Sequence, residues 1–246
     1  MPSVVMLRPE LSVIIPAYNE AHRIGPTLHA VTTWLAENRV DAEVLVVDDG
    51  SSDSTVQVAR AHPGVTVIET SPNRGKGHAV RTGMIAARGD VRLFMDADNA
   101  TPVSELPKLR EHLSGGADIA IGSRRAPGAR TLAPAPLYRR MWSRVANAVI
   151  RGSLTPGILD TQCGFKLFDA EAAIAVFSLT VTDGWSFDLE VLGRARRMGY
   201  RIDEVPVTWT DDPRSKISPL RDAIRVTREF LRIRRLLGAQ QPAGAR

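Results

Sequence analysis

The sequence of 246 residues contains a single cysteine, Cys163, and aromatic residues make up only 5% of it. One cysteine excludes an internal disulfide, and no spacing of cysteine and histidine resembles a zinc site, so a reducing compartment is expected.

The longest uncharged apolar run starts at Ala172 and is about half as long as a membrane span requires. No basic leader precedes a long apolar core at the N-terminus, which predicts no secretory signal.

Several common motifs for nucleotide binding and hydrolysis are also missing. The segment RGKGHAV, which starts at Arg74, lacks the third glycine of a dinucleotide fingerprint, and the chain has no GxxxxGK[ST] phosphate loop. It has neither HExxH nor GxSxG. These absences exclude a typical dehydrogenase, a P-loop NTPase, a zinc protease of that type and a serine hydrolase.

The overall composition is that of a soluble globular protein. Hydrophobic residues make up 43% and charged residues 24% of the chain, which predicts one large α/β domain. The net charge of +5, with its excess toward the C-terminus, indicates anionic partners. Nucleic acid is disfavoured, because few aromatic residues lie among the basic ones and no known nucleic-acid module is present. Phosphorylated small molecules or anionic lipids fit better.

Short apolar runs alternate with longer amphipathic stretches along the first half of the chain. This rhythm predicts an α/β fold with a mostly parallel sheet flanked by helices. The predicted strands are 11–15, 43–47, 65–68, 91–95 and 118–122, and the predicted helices are 20–38, 54–62, 77–88 and 102–114.

Polar segments follow four of the predicted strands: PAYNE, DDGSSDS, ETSPNRGKGHAV and DADNAT. Each segment could simply form a turn, because Asp, Asn, Gly and Ser are common in turns. In a parallel sheet, however, the carboxyl ends of the strands share one edge, where ligands bind. The four segments together therefore predict a binding site at that edge.

Asp96 and Asp98 follow the fourth strand directly. Carboxylates are hard oxygen ligands for Mg²⁺ or Mn²⁺, which bind proteins through one or two of them together with substrate phosphates. The pair therefore predicts a divalent metal that bridges to a nucleotide diphosphate, acting as a Lewis acid at the leaving group.

Six segments together resemble glycosyltransferase family 2: IIPAYNE, VVDDGSSDST, NRGKGHAVRTG, DADNAT, IGSR and DTQCGFKLF. Within the family, the set is most similar to the dolichyl-phosphate and polyprenyl-phosphate sugar synthases, particularly the dolichyl-phosphate β-glucosyltransferase branch. The segment DTQCGFKLF, residues 160–168, is the most specific. The resemblance implies a GT-A (Rossmann-like) fold, a nucleotide-sugar donor, Mg²⁺ or Mn²⁺, and inverting transfer onto a lipid phosphate.

The same resemblance assigns residues to the parts of the site. Lys76 would lie near the nucleotide, and Asp96 and Asp98 would bracket the metal and the diphosphate, with Asp98 the more direct ligand. The nucleotide pocket would be lined by Pro16, Ala17, Tyr18, Glu20 and Asp48, with Asp48 near the base. The resemblance also implies that Arg124, and Arg139 or Arg140, face phosphate groups. Because two anionic reactants must be held together, the candidate cations for the phosphates are Arg124, Arg139, Arg140, Arg214 and Lys216.

One position departs from the mannosyl-transferring relatives, which often carry a polar residue two places after the second aspartate. That position is Ala100, which favours the glucosyl branch and UDP as the nucleotide. Asp188 occupies the place of a catalytic base in hydroxyl-transferring relatives. It could instead orient a sugar hydroxyl or an arginine, as could Asp160, or merely start a helix. Trp185 could stack on the sugar or lie in the core.

The segment SPLRDAIRVTREFLRIRRLL predicts a basic amphipathic helix at 218–237, after a single domain at 1–217 and before a disordered tail at 238–246. Arginines recur on one stripe, opposite Val226, Phe230, Ile233 and Leu237. The helix would bind a membrane surface; the alternatives are a core-packed or oligomer-forming helix with a solvated face, or contact with a membrane-protein partner.

The sequence therefore predicts a peripheral enzyme on the cytoplasmic face of a membrane. It would transfer a hexose or N-acetylhexosamine from a nucleotide sugar, with UDP favoured, to polyprenyl or dolichyl phosphate. The alternatives are the same fold acting on a soluble acceptor and a non-catalytic protein that binds nucleotide sugars.

Overall fold

The fold is taken from a computed structural model of the chain, which describes residues 8–133, 154–210 and 219–238, with the backbone alone at 133 and 219–228. Its strands are β1 Leu11–Ala17, β2 Ala42–Asp48, β3 Val65–Glu69, β4 Val91–Met95, β5 Ile119–Ser123, β6 Arg130–Ala133, β7 Phe165–Asp169, β8 Ile202–Pro206 and β9 Thr208–Thr210. Its helices are α1 Ile24–Glu37, α2 Thr55–Arg60, α3 Lys76–Ala86, α4 Leu106–Ser114, α5 Ala170–Leu179, α6 Phe187–Arg197 and α7 Pro219–Gly238. A 3-10 turn, Val103–Glu105, precedes α4.

A seven-stranded sheet in the order β3-β2-β1-β4-β7-β5-β8 forms the centre of the described residues. The pairs β1–β2, β1–β4, β2–β3 and β5–β8 are parallel, whereas β7 runs antiparallel to both β4 and β5. The short strands β6 and β9 form a separate parallel pair. The predicted α/β fold with a mostly parallel sheet is confirmed, and the five predicted strands and four predicted helices lie within a few residues of their predicted bounds.

The strands of the central sheet are apolar on both faces because helices cover both. All seven residues of β1 are buried, as are the last five of β2. One apolar cluster joins the sheet to α1 and α4, and a second joins it to α3, α5 and α6. Burial on both faces is what makes the strands near-continuous apolar runs in the sequence.

The antiparallel strand β7 brings the segment 160–168 to the candidate site. Because β7 runs opposite to β4, its beginning lies beside the end of β4, where the two aspartates follow. The Asp96 N–H donates to the Gly164 carbonyl at 3.0 Å, which joins the two segments through the backbone.

Helix α7 packs on the domain through part of its apolar face. Ile233 and Leu237 are buried and form a small cluster with Leu154 and Leu189, and Phe230 packs against it. Leu231, Arg232 and Arg235 are exposed. Of the helices in the described residues, none has both the length and the apolar character needed to cross a membrane.

Candidate active site

The end of β2 places two buried aspartates in different roles. The Asp48 carboxylate accepts the N–H groups of Gly50 and Ser51 at 3.1 and 2.9 Å, so it folds its own loop at the predicted nucleotide pocket. The Asp49 carboxylate instead accepts from the N–H groups of Arg74 and Gly75, at 3.1 and 2.6 Å. Asp49 thereby fixes the approach to α3, a role that turn composition did not reveal.

The end of β1 contributes both buried and exposed residues to the predicted nucleotide pocket. Pro16 and Ala17 are buried, while the Tyr18 ring is exposed and available to a ligand. Glu20 forms an ion pair with Arg23 at 2.6 Å, and Arg23 Nη1 lies 4.0 Å from Asp98 Oδ2. Arg23 therefore links Glu20, one of the predicted pocket residues, to the aspartate pair after β4.

The aspartate pair after β4 is accessible to solvent, and other charged groups lie close to both carboxylates. The side chains of Asp96 and Asp98 are 30% and 26% exposed. Asp96 Oδ1 lies 2.6 Å from Lys76 Nζ, and Asp98 Oδ1 accepts the Ala100 N–H at 3.0 Å. Burial, followed by the neighbouring Asp96 charge, raises the pKa of Asp98 above its usual value. Such a site favours a bound cation.

The donor atoms of this pair fit a divalent metal of the Mg²⁺ or Mn²⁺ type. Within the described part of the chain, no group of three or more His, Cys, Asp or Glu side chains could hold a metal ion by itself. Ala100, two places after Asp98, offers no side-chain ligand. Two carboxylates therefore suit a metal whose other ligands come from phosphate oxygens and water.

Lys76, the first residue of α3, stands between the acidic groups of the site. Burial alone would lower its pKa, but the carboxylates of Asp96 and Asp188 outweigh burial and raise it. Lys76 therefore remains an ammonium group. Its Nζ lies 5.0 Å from the centroid of the Trp185 ring, within range of a cation–π contact.

The segment that carries Trp185 rests on the start of α3. The N–H groups of Gly77 and His78 donate to the Asp183 carbonyl at 2.8 and 3.3 Å. A Cβ added at Gly75 or Gly77 would come within 3.0 Å of backbone atoms in this segment, so both glycines are needed for the close approach. Trp185 itself is 61% exposed, which shows that the buried-core alternative for it is wrong.

Arg124, after β5, is held by the buried Asp160. The Arg124 Nε and Nη2 donate to the two carboxylate oxygens of Asp160 at 2.7 and 2.8 Å, and the Arg124 N–H donates at 3.0 Å. Burial would raise the pKa of Asp160, but the Arg124 guanidinium outweighs burial and lowers it. The guanidinium carbon also lies 5.2 Å from the Trp209 ring centroid. Arg124 is thus fixed on two sides.

Asp160 is held in turn from the edge strand β8. The Glu204 carboxylate accepts the N–H groups of Leu159 and Asp160, both at 2.7 Å. This contact joins segments 44 residues apart, so no local sequence pattern could have identified Glu204.

Asp188 lies in the first turn of α6 and is 4% exposed. Lys166 Nζ donates to its Oδ1 at 2.6 Å. Burial raises the pKa of Asp188 despite the opposing charges of Lys166 and Lys76. Glu190, on the same helix, accepts the N–H groups of Val181 and Thr182, so it holds the segment that precedes the helix.

Four aspartates of the site, Asp96, Asp98, Asp160 and Asp188, each have a basic partner. The pairs are Arg23–Asp98, Lys76–Asp96, Lys166–Asp188 and Arg124–Asp160. The remaining candidate cations, Arg139, Arg140, Arg214 and Lys216, lie outside the described residues.

Cys163 lies inside the most specific segment but carries no accessible thiol. It is 1% exposed, and burial, followed by the nearby Asp160 charge, raises its pKa to about 11. We expect the folded protein to react with iodoacetamide at pH 8 at least ~100-fold more slowly than the unfolded chain, since the thiolate is the reactive form. Mass spectrometry of the alkylated protein measures this; rapid labelling of the folded state would contradict the burial of Cys163.

The chain matches the model described as "Glycosyl transferase family 2" over residues 12–177. It is 37% identical to the dolichyl-phosphate beta-glucosyltransferase of Drosophila melanogaster, over 94% of this chain and 76% of that protein. It is 34% identical to the Homo sapiens protein of the same name, over 94% of this chain and 77% of the relative.

The solved structures that it resembles include glucosyl-3-phosphoglycerate synthase from Mycobacterium tuberculosis in complex with Mn²⁺, UDP and phosphoglyceric acid. That likeness has a TM-score of 0.70 at 23% identity and covers 95% of this chain and 80% of the other. At this identity the likeness shows the fold, which is the GT-A type predicted from the sequence. The family match and the relatives show more: the chain belongs to glycosyltransferase family 2 and is a glycosyltransferase.

Proposed function

We propose that this enzyme transfers a hexose, glucose in the first instance, from UDP-sugar to dolichyl or polyprenyl phosphate with inversion at the anomeric carbon. The observation that carries the proposal is the aspartate pair Asp96 and Asp98 beside Lys76, at the edge of the sheet where ligands bind. The relatives named dolichyl-phosphate beta-glucosyltransferase support the sugar and the acceptor.

The donor would bind between the ends of β1, β2 and β4. Tyr18 offers an exposed ring to the nucleotide, and the Asp48 loop forms the wall of that pocket. Asp96 and Asp98 would hold Mg²⁺ or Mn²⁺, which when bound would neutralise charge on the diphosphate. Lys76 directs an ammonium group to the same place and adds a fixed positive charge there.

A phosphate acceptor removes the need for a general base. The second pKa of a phosphate monoester is about 6, so its oxygen is already an anion at neutral pH. Asp160 and Asp188 are both buried and paired with a cation, which favours positioning roles over proton transfer. Arg124, fixed by Asp160, would then help to orient the acceptor phosphate.

The reaction requires one displacement. The acceptor phosphate oxygen attacks the anomeric carbon and forms the new C–O bond, while the bond from that carbon to UDP breaks and UDP leaves with the electron pair. In-line attack inverts the anomeric centre. Two anionic reactants must approach each other, so positioning by cations would dominate the catalysis. Arg139, Arg140, Arg214 and Lys216 are our candidates for the further cations.

Contact with the membrane would come from the outer side of α7. Ile233 and Leu237 are packed inside, so among the described side chains of α7 the surface offered to lipid includes Leu231, Arg232 and Arg235. Anionic lipid attracts such a basic surface. We therefore place the enzyme at a membrane surface as a peripheral protein.

The decisive experiment measures transfer from a panel of radiolabelled nucleotide sugars to detergent-solubilised polyprenyl monophosphate, with Mn²⁺ or Mg²⁺ and then with chelator. Formation of a chelator-sensitive, acid-labile glycolipid from UDP-glucose is the expected result. Transfer to a soluble phosphorylated acceptor without lipid product would overturn the lipid assignment. Binding of UDP-sugar without turnover on any acceptor would overturn the enzymatic one.

Trp185 provides a separate prediction for the donor site. Trp185→Ala should raise the KM for the nucleotide sugar about tenfold, because an aromatic face beside Lys76 is lost. The melting temperature should stay unchanged, since the side chain is 61% exposed. Steady-state kinetics with varied donor tests this, with Trp185→Phe as the matched control that keeps a ring. An unchanged KM in Trp185→Ala would remove Trp185 from the donor site.

A further inference from the structure

The chain uses arginine for nearly all of its positive charge: its 32 basic residues comprise 28 arginines and four lysines. Two of the four, Lys76 and Lys166, place their ammonium groups over the same Phe94 ring, and Lys166 forms an ion pair with Asp188. An ammonium group is a compact point charge, whereas a guanidinium is a wide planar fork. Lysine at both positions therefore indicates that each position has room for a compact ammonium group but not for a guanidinium group.

Lys166 lies in β7 and is 1% exposed. Its Nζ donates to Asp188 Oδ1 at 2.6 Å and to the Cys163 carbonyl at 2.5 Å, and it lies 5.4 Å from the Phe94 ring centroid. Moving a charged pair out of water costs free energy, and apolar side chains of similar volume often give a fold of at least equal stability. Stability alone therefore does not account for the pair, and its surroundings point to a role at the site.

That role lies on the other side of Asp188. Lys76 Nζ lies 5.3 Å from the centroid of the same Phe94 ring as Lys166 Nζ, and the Asp188 charge favours the ammonium form of Lys76. Lys76 Nζ in turn contacts Asp96 Oδ1 at 2.6 Å. Four alternating charges therefore run from the interior of the sheet to the aspartate pair: Lys166, Asp188, Lys76 and Asp96.

We infer that Lys166 is a positioning residue of the donor site, which acts through Asp188 to hold the Lys76 ammonium against Asp96. Lys166 anchors Asp188 at the sheet, and Asp188 and Asp96 together fix Lys76 where the donor diphosphate binds. The inference rests on the proposed function in one respect, because it takes the diphosphate as the group that Lys76 meets.

The test compares Lys166→Met with the double variant Lys166→Met/Asp188→Asn. The readouts are the melting temperature, the affinity for UDP with Mn²⁺ measured by calorimetry, and the rate at which acetic anhydride modifies Lys76, followed by peptide mass spectrometry. Lys166→Met should weaken UDP binding about tenfold and accelerate Lys76 acetylation, by analogy with groups that orient ligand side chains elsewhere. Lys108→Met, on α4, is the matched control and should leave both readouts unchanged.

The double variant separates positioning from stability. Lys166→Met alone leaves the buried Asp188 carboxylate without its partner, and Asp188→Asn removes that charge. The melting temperature of the double variant should therefore return toward that of the wild type, while its UDP affinity stays low and Lys76 stays reactive. A double variant with wild-type UDP affinity and wild-type Lys76 reactivity would overturn the inference. If the wild type binds no UDP, the proposed function fails, and the change in Lys76 acetylation alone then decides the role of Lys166.

Discussion

Asp98→Ala is expected to lower the rate of sugar transfer about a thousandfold, because a metal ion at a diphosphate leaving group contributes several kcal/mol to the transition state. Within the described residues, no third acidic side chain stands ready to replace Asp98 as a ligand. Asp96 cannot compensate alone, since one of its oxygens already contacts Lys76 at 2.6 Å. Transfer of radiolabelled sugar at saturating Mn²⁺ measures the loss.

The same substitution should stabilise the metal-free protein. The folded-state pKa of Asp98 is raised above 3.8 by burial and by Asp96, so its ionised form destabilises the fold at neutral pH. Removing the carboxylate should therefore raise the melting temperature at pH 7, and the gain should vanish as the pH falls below 3.8, where the carboxyl is protonated in both states.

The matched control for Asp98→Ala is Asp90→Ala, which removes an exposed aspartate just before the other end of β4. It should leave the transfer rate unchanged. If Asp98→Ala kept more than about a tenth of wild-type activity with its fold intact, a loss of only 1.4 kcal/mol, the metal would have to bind elsewhere.

Gly164→Ala should reduce transfer about a hundredfold, although it adds one methyl group outside the reacting atoms. A Cβ at residue 164 would lie within 3.0 Å of three side-chain atoms of Asp96, a separation that real Cβ contacts essentially never show. The Asp96 carboxylate must therefore move, and its contact with Lys76 must change with it. A displacement of about 1 Å in a positioned group is enough for a loss of this size.

This effect can be separated from backbone strain. The backbone of Gly164 is not among the positive-φ glycines, so alanine is compatible with its conformation and only the contact changes. Gly115→Ala is the control, because its added Cβ would meet neighbouring carbonyl oxygens at an ordinary 3.4 Å. Kinetics and thermal unfolding of both variants provide the comparison. Full activity in Gly164→Ala would mean that the position of Asp96 is not critical.

The sheet could be predicted from the sequence to a large extent, because burial on both faces produces apolar runs that stand out from the polar segments between them. The aspartates after β4 could be found for the same reason, since they interrupt such a run directly. The position of β7 could not be predicted. Antiparallel insertion between β4 and β5 is a matter of long-range pairing, and nothing in FKLF specifies its neighbours.

The residues that support the site were missed for a related reason. Gly164 faces Asp96, and the Glu204 carboxylate accepts the Asp160 backbone N–H, across separations of dozens of residues. Asp49 and Asp48 are adjacent in the sequence, and only the structure shows that Asp49 is the one that fixes the start of α3. Lys166 sits in an apolar strand, where one charged residue is easily taken for a residue on a solvated face.

The balance of charges around the aspartate pair has a consequence for donor binding. Lys76, Lys166 and Arg124 each pair with one carboxylate, but Arg23 is shared between Glu20 and Asp98. The carboxylates among these groups therefore outnumber the cations by one, so a lone diphosphate is repelled from the site. A metal–diphosphate complex is nearly neutral and meets no such penalty. Metal and nucleotide should therefore enter synergistically, each tightening the other, so that the donor is admitted as a complex rather than assembled in steps.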